Sequence, residues 1–93
     1  MSVVIIGGNE RMERQYKELC KEYKCQAKVF TKMRGCFYNK LGRPDLLVLF
    51  TNNMSHKMVK SALNETKGQD LKIVRSHTAS MSALKNILNE HVG

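Results

Sequence analysis

Four apolar segments along the chain have the pattern of β-strands. Residues 3–6 and 46–50 are continuous apolar runs, which is typical of strands buried on both faces of a parallel sheet. Residues 25–31 contain apolar positions with some alternation, and residues 71–75 supply a fourth segment. The pattern therefore predicts a sheet of four strands.

The segments between and after these strands differ in their helical character. Residues 10–23 and 55–66 place apolar side chains on one helical face, and a last amphipathic segment follows Ser80. Asn9 and Ser80 are residue types that cap helix N-termini. Residues 32–44 instead hold two glycines, one proline and four basic residues without a clear period. We expect a loop there.

The predicted order is β-α-β-β-α-β-α. Because crossovers between parallel strands are right-handed, few topologies fit this order. We expect an α/β fold: a small three-layer Rossmann- or flavodoxin-like unit with a four-stranded parallel sheet in the order 2-1-3-4. Residues 1–93 form a single domain in this interpretation. Ligands of such folds bind where the strand order reverses, which here lies between strands one and three.

Three polar segments, residues 7–10, 51–56 and 76–80, each follow a predicted strand and open a predicted helix. In a parallel sheet these junctions share one edge, where helix N-termini offer N–H groups and partial positive charge. The junctions therefore predict a pocket for an anion such as phosphate, a nucleotide or a carboxylate. The candidate ligand-binding residues are Gly7, Gly8, Asn9, Arg11, Asn52, Ser55, His56, His77, Thr78 and Ser80.

No catalytic residue or cofactor follows from the motifs. Gly7-Gly8 is too short for a dinucleotide fingerprint, and Thr31 or Lys32 stands where that fingerprint needs an acid. The nucleophile elbow, the Walker A motif and the HExxH zinc motif are absent. His56 falls in the first turn of a helix, where it could act as a base, an acceptor or a metal ligand or could simply bond the backbone. An enzyme subunit or a metal- or haem-binding protein that uses His56 is therefore an alternative.

Composition suggests a second alternative function, nucleic-acid binding, and bears on the cellular compartment. The net charge is +8, but the 16 basic residues are dispersed, so a nucleic-acid surface competes with a merely solvated basic surface. An odd cysteine count, three, without CxxC spacing disfavours a disulfide framework. The start of the chain is predicted to be a buried strand and not a signal peptide. No apolar run is long enough to span a bilayer. We expect a cytoplasmic protein without a membrane partner.

Residues 3–8, Asp45 before an apolar strand, Ser55-His56 opening a helix and residues 75–84 carry a family resemblance. With these segments the chain resembles a small bacterial family catalogued as domain of unknown function 2325. Members often have a Gly-Gly pair where this chain has residues 34–36, and Asp-Cys before the Ser-His pair where this chain has other residues. The resemblance implies a compact α/β unit with a site around Ser55, His56 and Ser80, and it implies no established reaction.

The sequence as a whole favours a binding or regulatory module over an enzyme, because one small unit has little room for a second substrate domain. The expected partners are a small anionic ligand and a second copy of the chain. The homodimer is expected because the segment between the second and third strands lacks a helix, which would leave part of one sheet face bare.

Overall fold

The computed structural model describes residues 1–30, 44–68 and 70–92. The strands and helices follow the predicted order: β1 Ser2–Gly7, α1 Glu13–Glu22, β2 Gln26–Phe30, β3 Leu46–Phe50, α2 His56–Glu65, β4 Lys72–Ser76 and α3 Met81–His91. The predicted loop at 32–44 lies outside the described residues except for Pro44. Lys32 and Cys36 are part of that loop.

The sheet confirms the predicted topology. Its four strands lie in the order β2-β1-β3-β4, and all three pairings are parallel. In the centre of the sheet, Ile5 lies opposite Val29 on one side and Val48 on the other. The carboxyl ends of the strands therefore share one edge, as the sequence predicted.

Helices cover both faces of the sheet, which gives the expected three layers. On one face α1 and α3 bury side chains such as Tyr16 and Leu84 against Val3, Ile5 and Val48. On the other face α2 packs Ala62 against a separate cluster that comprises Val4, Ile6, Leu47 and Leu49. We call this second cluster the α2 core. Alternation along β1 and β3 assigns neighbouring residues to opposite faces, so both strands are apolar throughout.

The first helix begins later than predicted. A single 3-10 turn occupies Glu10–Met12, and α1 starts at Glu13. The Asn9 side chain causes this difference, since its Oδ1 accepts a hydrogen bond from the Arg11 N–H at 3.0 Å. Asn9 thus caps the tight turn, and the α-helix proper follows it.

Among the described residues, the central strands β1 and β3 show no bare sheet face of the kind that motivated the homodimer. Every residue of β3 is buried, and Val4 and Ile6 of β1 are at most 2% exposed. Among the described residues the exposed large apolar side chains are Met1 and Ile73. The homodimer stays a prediction, without the support of an uncovered face.

Two thiols are buried under α1. Cys20 and Cys25 are free cysteines within the core, as predicted. Burial, with a smaller contribution from the neighbouring Cys25 thiol, raises the pKa of the Cys20 thiol to about 11. Cys20 is therefore a neutral thiol at pH 7 and packs as a small apolar side chain.

Candidate functional site

The first junction, after β1, is packed by the protein itself. Gly7 and Gly8 both have φ of +88°, a turn conformation that glycine adopts without steric cost. A Cβ atom on Gly7 would lie 2.7 Å from the carbonyl oxygen of Phe50. One on Gly8 would lie 3.0 Å from the Phe50 ring and 3.1 Å from the Tyr16 ring. The glycines therefore let the chain pass close to neighbouring protein groups.

Tyr16 joins the first junction to the third. Its hydroxyl accepts a hydrogen bond from the Asn9 N–H at 3.2 Å and donates one to the Ala79 carbonyl at 2.5 Å. Its ring packs against Phe50 with a centroid separation of 5.5 Å. A fully buried tyrosine needs such partners for its hydroxyl. Tyr16 thereby fixes the positions of two junctions relative to each other.

The second junction presents His56 to solvent. After β3 the chain forms a 3-10 turn at Thr51–Asn53, and α2 begins at His56. The Ser55 Oγ accepts a hydrogen bond from the Met58 N–H at 3.3 Å, so Ser55 is the N-cap of α2. The His56 side chain is exposed in the first turn. Ser55 serves the helix here, and His56 is available to a ligand.

Two hydroxyls of the third junction, those of Ser76 and Ser80, bond to the backbone. Ser76 Oγ donates to the Thr78 carbonyl at 2.9 Å and accepts from the Thr78 N–H at 3.3 Å. Ser80 Oγ accepts from the Ala83 N–H at 3.2 Å and caps α3. Thr51 Oγ1 donates to the Ser76 carbonyl at 3.4 Å and ties the second junction to the third. These bonds hold the edge in shape.

A cleft of about 430 Å³ opens between the second and third junctions. Arg75 pairs with Leu49, a residue of the α2 core, so the cleft opens on the α2 side of the sheet. Helix α2 begins beside the cleft, at His56. The cleft is lined by Thr51, Met54, His56, Val59, Arg75 and His77.

The cleft has a basic character. Arg75, His56 and His77 line it, and none of the described residues that line it is acidic. Within the part of the chain that the structure describes, ion pairs join residues of α1 and none involves Arg75. The partial positive charge at the start of α2 has the same sign. An anion that enters the cleft can therefore bind the Arg75 guanidinium group, which forms no ion pair with a carboxylate of the described residues.

The structure brings together only some of the predicted site residues. His56 and His77 line the cleft, together with Arg75, Thr51, Met54 and Val59, which were not among the candidates. The other candidates do not line this cleft. They are Gly7, Gly8 and Asn9 of the first junction, Arg11 just after it, Asn52 and Ser55 of the second junction, and Thr78 and Ser80 of the third. The cleft thus lies between β3 and β4, one strand away from the predicted switch point.

Sequence signals for the missed residues were weak but present. Arg75 ends the fourth predicted strand, at the edge of the sheet where ligands of such folds bind. Val59 has the spacing of a core position of α2, whereas Met54 precedes that helix and carries no such signal; both pack against the α2 core. In the described parts of the chain, no group of three His, Cys, Asp or Glu residues is placed to hold a metal ion. The same residues include no helix that is long and apolar enough to cross a membrane.

A family model with the description "uncharacterized protein conserved in bacteria (DUF2325)" matches residues 2–91 of the chain. The chain belongs to this family, which confirms the resemblance found in its sequence. No curated protein and no solved structure matches the chain.

Proposed function

We propose that this member of the DUF2325 family is a small cytoplasmic binding or regulatory module that holds an anion in the cleft between β3 and β4. The ligand carries a phosphate or carboxylate group, as a nucleotide or a small metabolite does. One observation carries the proposal: Arg75, His56 and His77 line one cleft, and no acidic residue is among its described lining residues. The lining residues come from the chain after β3, from α2 and from the end of β4, so a ligand can be contacted from several sides.

The chemistry of these side chains suits an anion. A guanidinium group stays charged at all physiological pH values and can donate two parallel hydrogen bonds to one phosphate or carboxylate. The imidazole N–H groups of His56 and His77 add donors, and the start of α2 adds a favourable dipole. Hydrogen bonds that involve charged groups are worth about 1.5–3 kcal/mol each.

Binding is favoured over a chemical reaction by the state of the nearby hydroxyls. Those of Thr51, Ser55 and Ser76 bond backbone groups at the edge of the sheet. A nucleophilic hydroxyl would instead be paired with a base such as His56 or His77. The cleft therefore supplies donors for holding a ligand, which supports a binding role.

The test is a thermal-shift titration with inorganic phosphate at constant ionic strength. Phosphate at about 100 times its dissociation constant should add about 2.7 kcal/mol of stability, enough to raise Tm by about 10–20 °C. Arg75→Gln should weaken phosphate binding at least tenfold, and His56→Ala should weaken it severalfold, because each removes a donor to a charged group.

Two control variants match these changes in type. Lys72→Gln removes one positive charge from an exposed position at the other end of β4, and Lys72 does not line the cleft. His91→Ala removes an imidazole from the last residue of α3. Both controls should bind phosphate as the parent does. Equal losses in Arg75→Gln and Lys72→Gln, or no shift in the parent with a panel of phosphate, sulfate and carboxylates, would contradict the proposal.

A further inference from the structure

The geometry points to a more specific ligand: a phosphate monoester whose ester group is apolar. In this arrangement the phosphate lies against Arg75, His56 and His77, and the ester group lies against Met54 and Val59. The inference rests on the proposed function, because it places the anionic group in the same cleft.

The size of the cleft exceeds what a bare ion needs. Pockets for small organic molecules occupy about 300–1,000 Å³, and this cleft has a volume of about 430 Å³. A tetrahedral phosphate ion would fill only part of it. The remaining volume must therefore hold water or a further part of the ligand, and the residues beside it decide between the two.

Two of the three other lining residues that the structure describes, Met54 and Val59, are apolar, and the third is Thr51. Met54 and Val59 line the cleft and are half-buried, with the rest of each side chain packed against the α2 core. A Cβ on Gly7 would lie 3.1 Å from the Met54 Cγ, so the backbone of the first junction packs closely against the Met54 side chain. Contact with such an apolar surface is unfavourable for water. An apolar group of the ligand would cover this surface and remove it from solvent, which is favourable. Methionine also adapts its shape to the group that it contacts.

The order of residues on α2 places the two kinds of contact next to each other. His56 is the first residue of the helix and Val59 is three positions later, so both lie on one helical face. The rise between them is about 4.5 Å at 1.5 Å per residue. A ligand with an anionic head and a small apolar group bonded to it spans this distance.

A phosphate monoester matches the donors better than a carboxylate does. Three basic side chains line the cleft. A monoester presents three terminal oxygens and carries a charge of about −1.5 to −2 at pH 7. A carboxylate presents two oxygens and a single negative charge. The third terminal oxygen and the larger negative charge of the monoester therefore match three basic side chains better than a carboxylate does.

Isothermal titration calorimetry of the full chain at fixed ionic strength tests the inference with four probes: inorganic phosphate, phenyl phosphate, benzoate and phenol. Phenyl phosphate should bind at least tenfold more tightly than inorganic phosphate and than benzoate, and phenol should not bind measurably. Inorganic phosphate binding as tightly as phenyl phosphate would overturn the apolar contact but leave the proposed function standing. Benzoate binding as tightly as phenyl phosphate would overturn the preference for phosphate. Binding by none of the anions would overturn the proposed function itself.

A pair of helix variants locates the apolar contact. Val59→Ala should reduce the affinity ratio of phenyl phosphate to inorganic phosphate at least threefold, while inorganic phosphate affinity stays within twofold of the parent. Leu63→Ala is the matched control, because Leu63 packs against the same core from the next turn of α2 and does not line the cleft. An unchanged ratio in Val59→Ala would overturn the assignment of Val59. If either variant fails to fold, the probe series on the parent protein still decides the inference.

Discussion

Single residues at the sheet edge show why a glycine pair is ambiguous in a sequence. Gly7-Gly8 was consistent with a tight turn or with close approach to a ligand, and both need the same residue. The structure shows a turn with φ of +88° at each glycine and close approach to Phe50 and Tyr16. The pair thus shapes the first junction. Which atoms would crowd a glycine depends on tertiary packing, which the local sequence does not contain.

Gly7 and Gly68 allow two costs of replacing a glycine to be measured separately: the cost of a positive φ and the cost of a steric clash. Both have positive φ, +88° and +85°, but a Cβ on Gly68 would have no atom within 4 Å. Gly68→Ala should therefore lower the free energy of unfolding by about 1–2 kcal/mol, the cost of the backbone conformation alone. Gly7→Ala should lower it by clearly more, because its Cβ would also lie 2.7 Å from the Phe50 carbonyl oxygen.

Chemical denaturation of both glycine variants at one temperature checks this difference. The two variants share the conformational cost, so the excess loss in Gly7→Ala measures the steric clash. Equal losses in the two variants would show that the strand end can shift away from Phe50 at no cost.

The residues of the cleft differed in how well the sequence marked them. His56 was predictable because a capping serine directly before it fixed its place in the first turn of a helix. Arg75 carried less signal, since an exposed basic residue on an edge strand also guards against aggregation. Met54 and Val59 carried none beyond their apolar character, because a half-buried wall of a cleft and a core position use the same residue types.

At the scale of helices and strands, local signals predicted most of the structure. The four strands lie within about one residue of their predicted ends, since apolar runs bounded by polar or turn residues mark buried strands well. The start of α1 was three residues too early in the prediction. Asn9 can cap a 3-10 turn as readily as an α-helix, and the sequence does not distinguish the two.

Ser80 tests whether a residue that carries the family resemblance serves the helix or the ligand. Its Oγ bonds the Ala83 N–H, the same cap geometry that Ser55 forms for α2. Ser80→Ala should therefore lower the free energy of unfolding by about 1 kcal/mol. Phosphate affinity should stay that of the parent, because Ser80 does not line the cleft.

Ser82→Ala is the control for this cap prediction. Ser82 is exposed in the first turn of α3, and its replacement should change stability by at most about 0.5 kcal/mol. Denaturation and phosphate titration of both variants give the two readouts. A loss of phosphate binding in Ser80→Ala without a loss of stability would assign Ser80 to the ligand instead of the helix.

For the whole molecule, topology was more predictable than the location of the cleft. Right-handed crossovers and two strands buried on both faces left few arrangements, and the order 2-1-3-4 is confirmed. The switch point between β1 and β3 was the general expectation for a ligand. At that position Gly7 lies against Met54 and Phe50, and the described cleft opens one strand further along the edge. Side-chain volumes decide such a shift, and they act only after the fold has formed.

Net charge is the other property of the whole molecule, and it supports the competing nucleic-acid hypothesis. A charge of +8 attracts any polyanion at low salt, whatever the arrangement of the basic residues. Among the described residues, Arg14 and Lys17 form surface ion pairs with acids of α1, so not all of this charge is free. We therefore expect DNA binding to be weak, nonspecific and strongly dependent on salt.

Arg75→Gln and Lys72→Gln distinguish that general attraction from a site. Each variant removes one positive charge, so each should flatten the plot of log K against log salt for a random DNA duplex by at most about 1, and both should weaken binding similarly. The same two variants should differ at least tenfold in phosphate affinity, because only Arg75 lines the cleft. Fluorescence anisotropy at several salt concentrations supplies the DNA data. If DNA binding persisted at high salt and fell in Arg75→Gln alone, the cleft would be part of a nucleic-acid interface, and a small anionic ligand would no longer be needed to explain its basic residues.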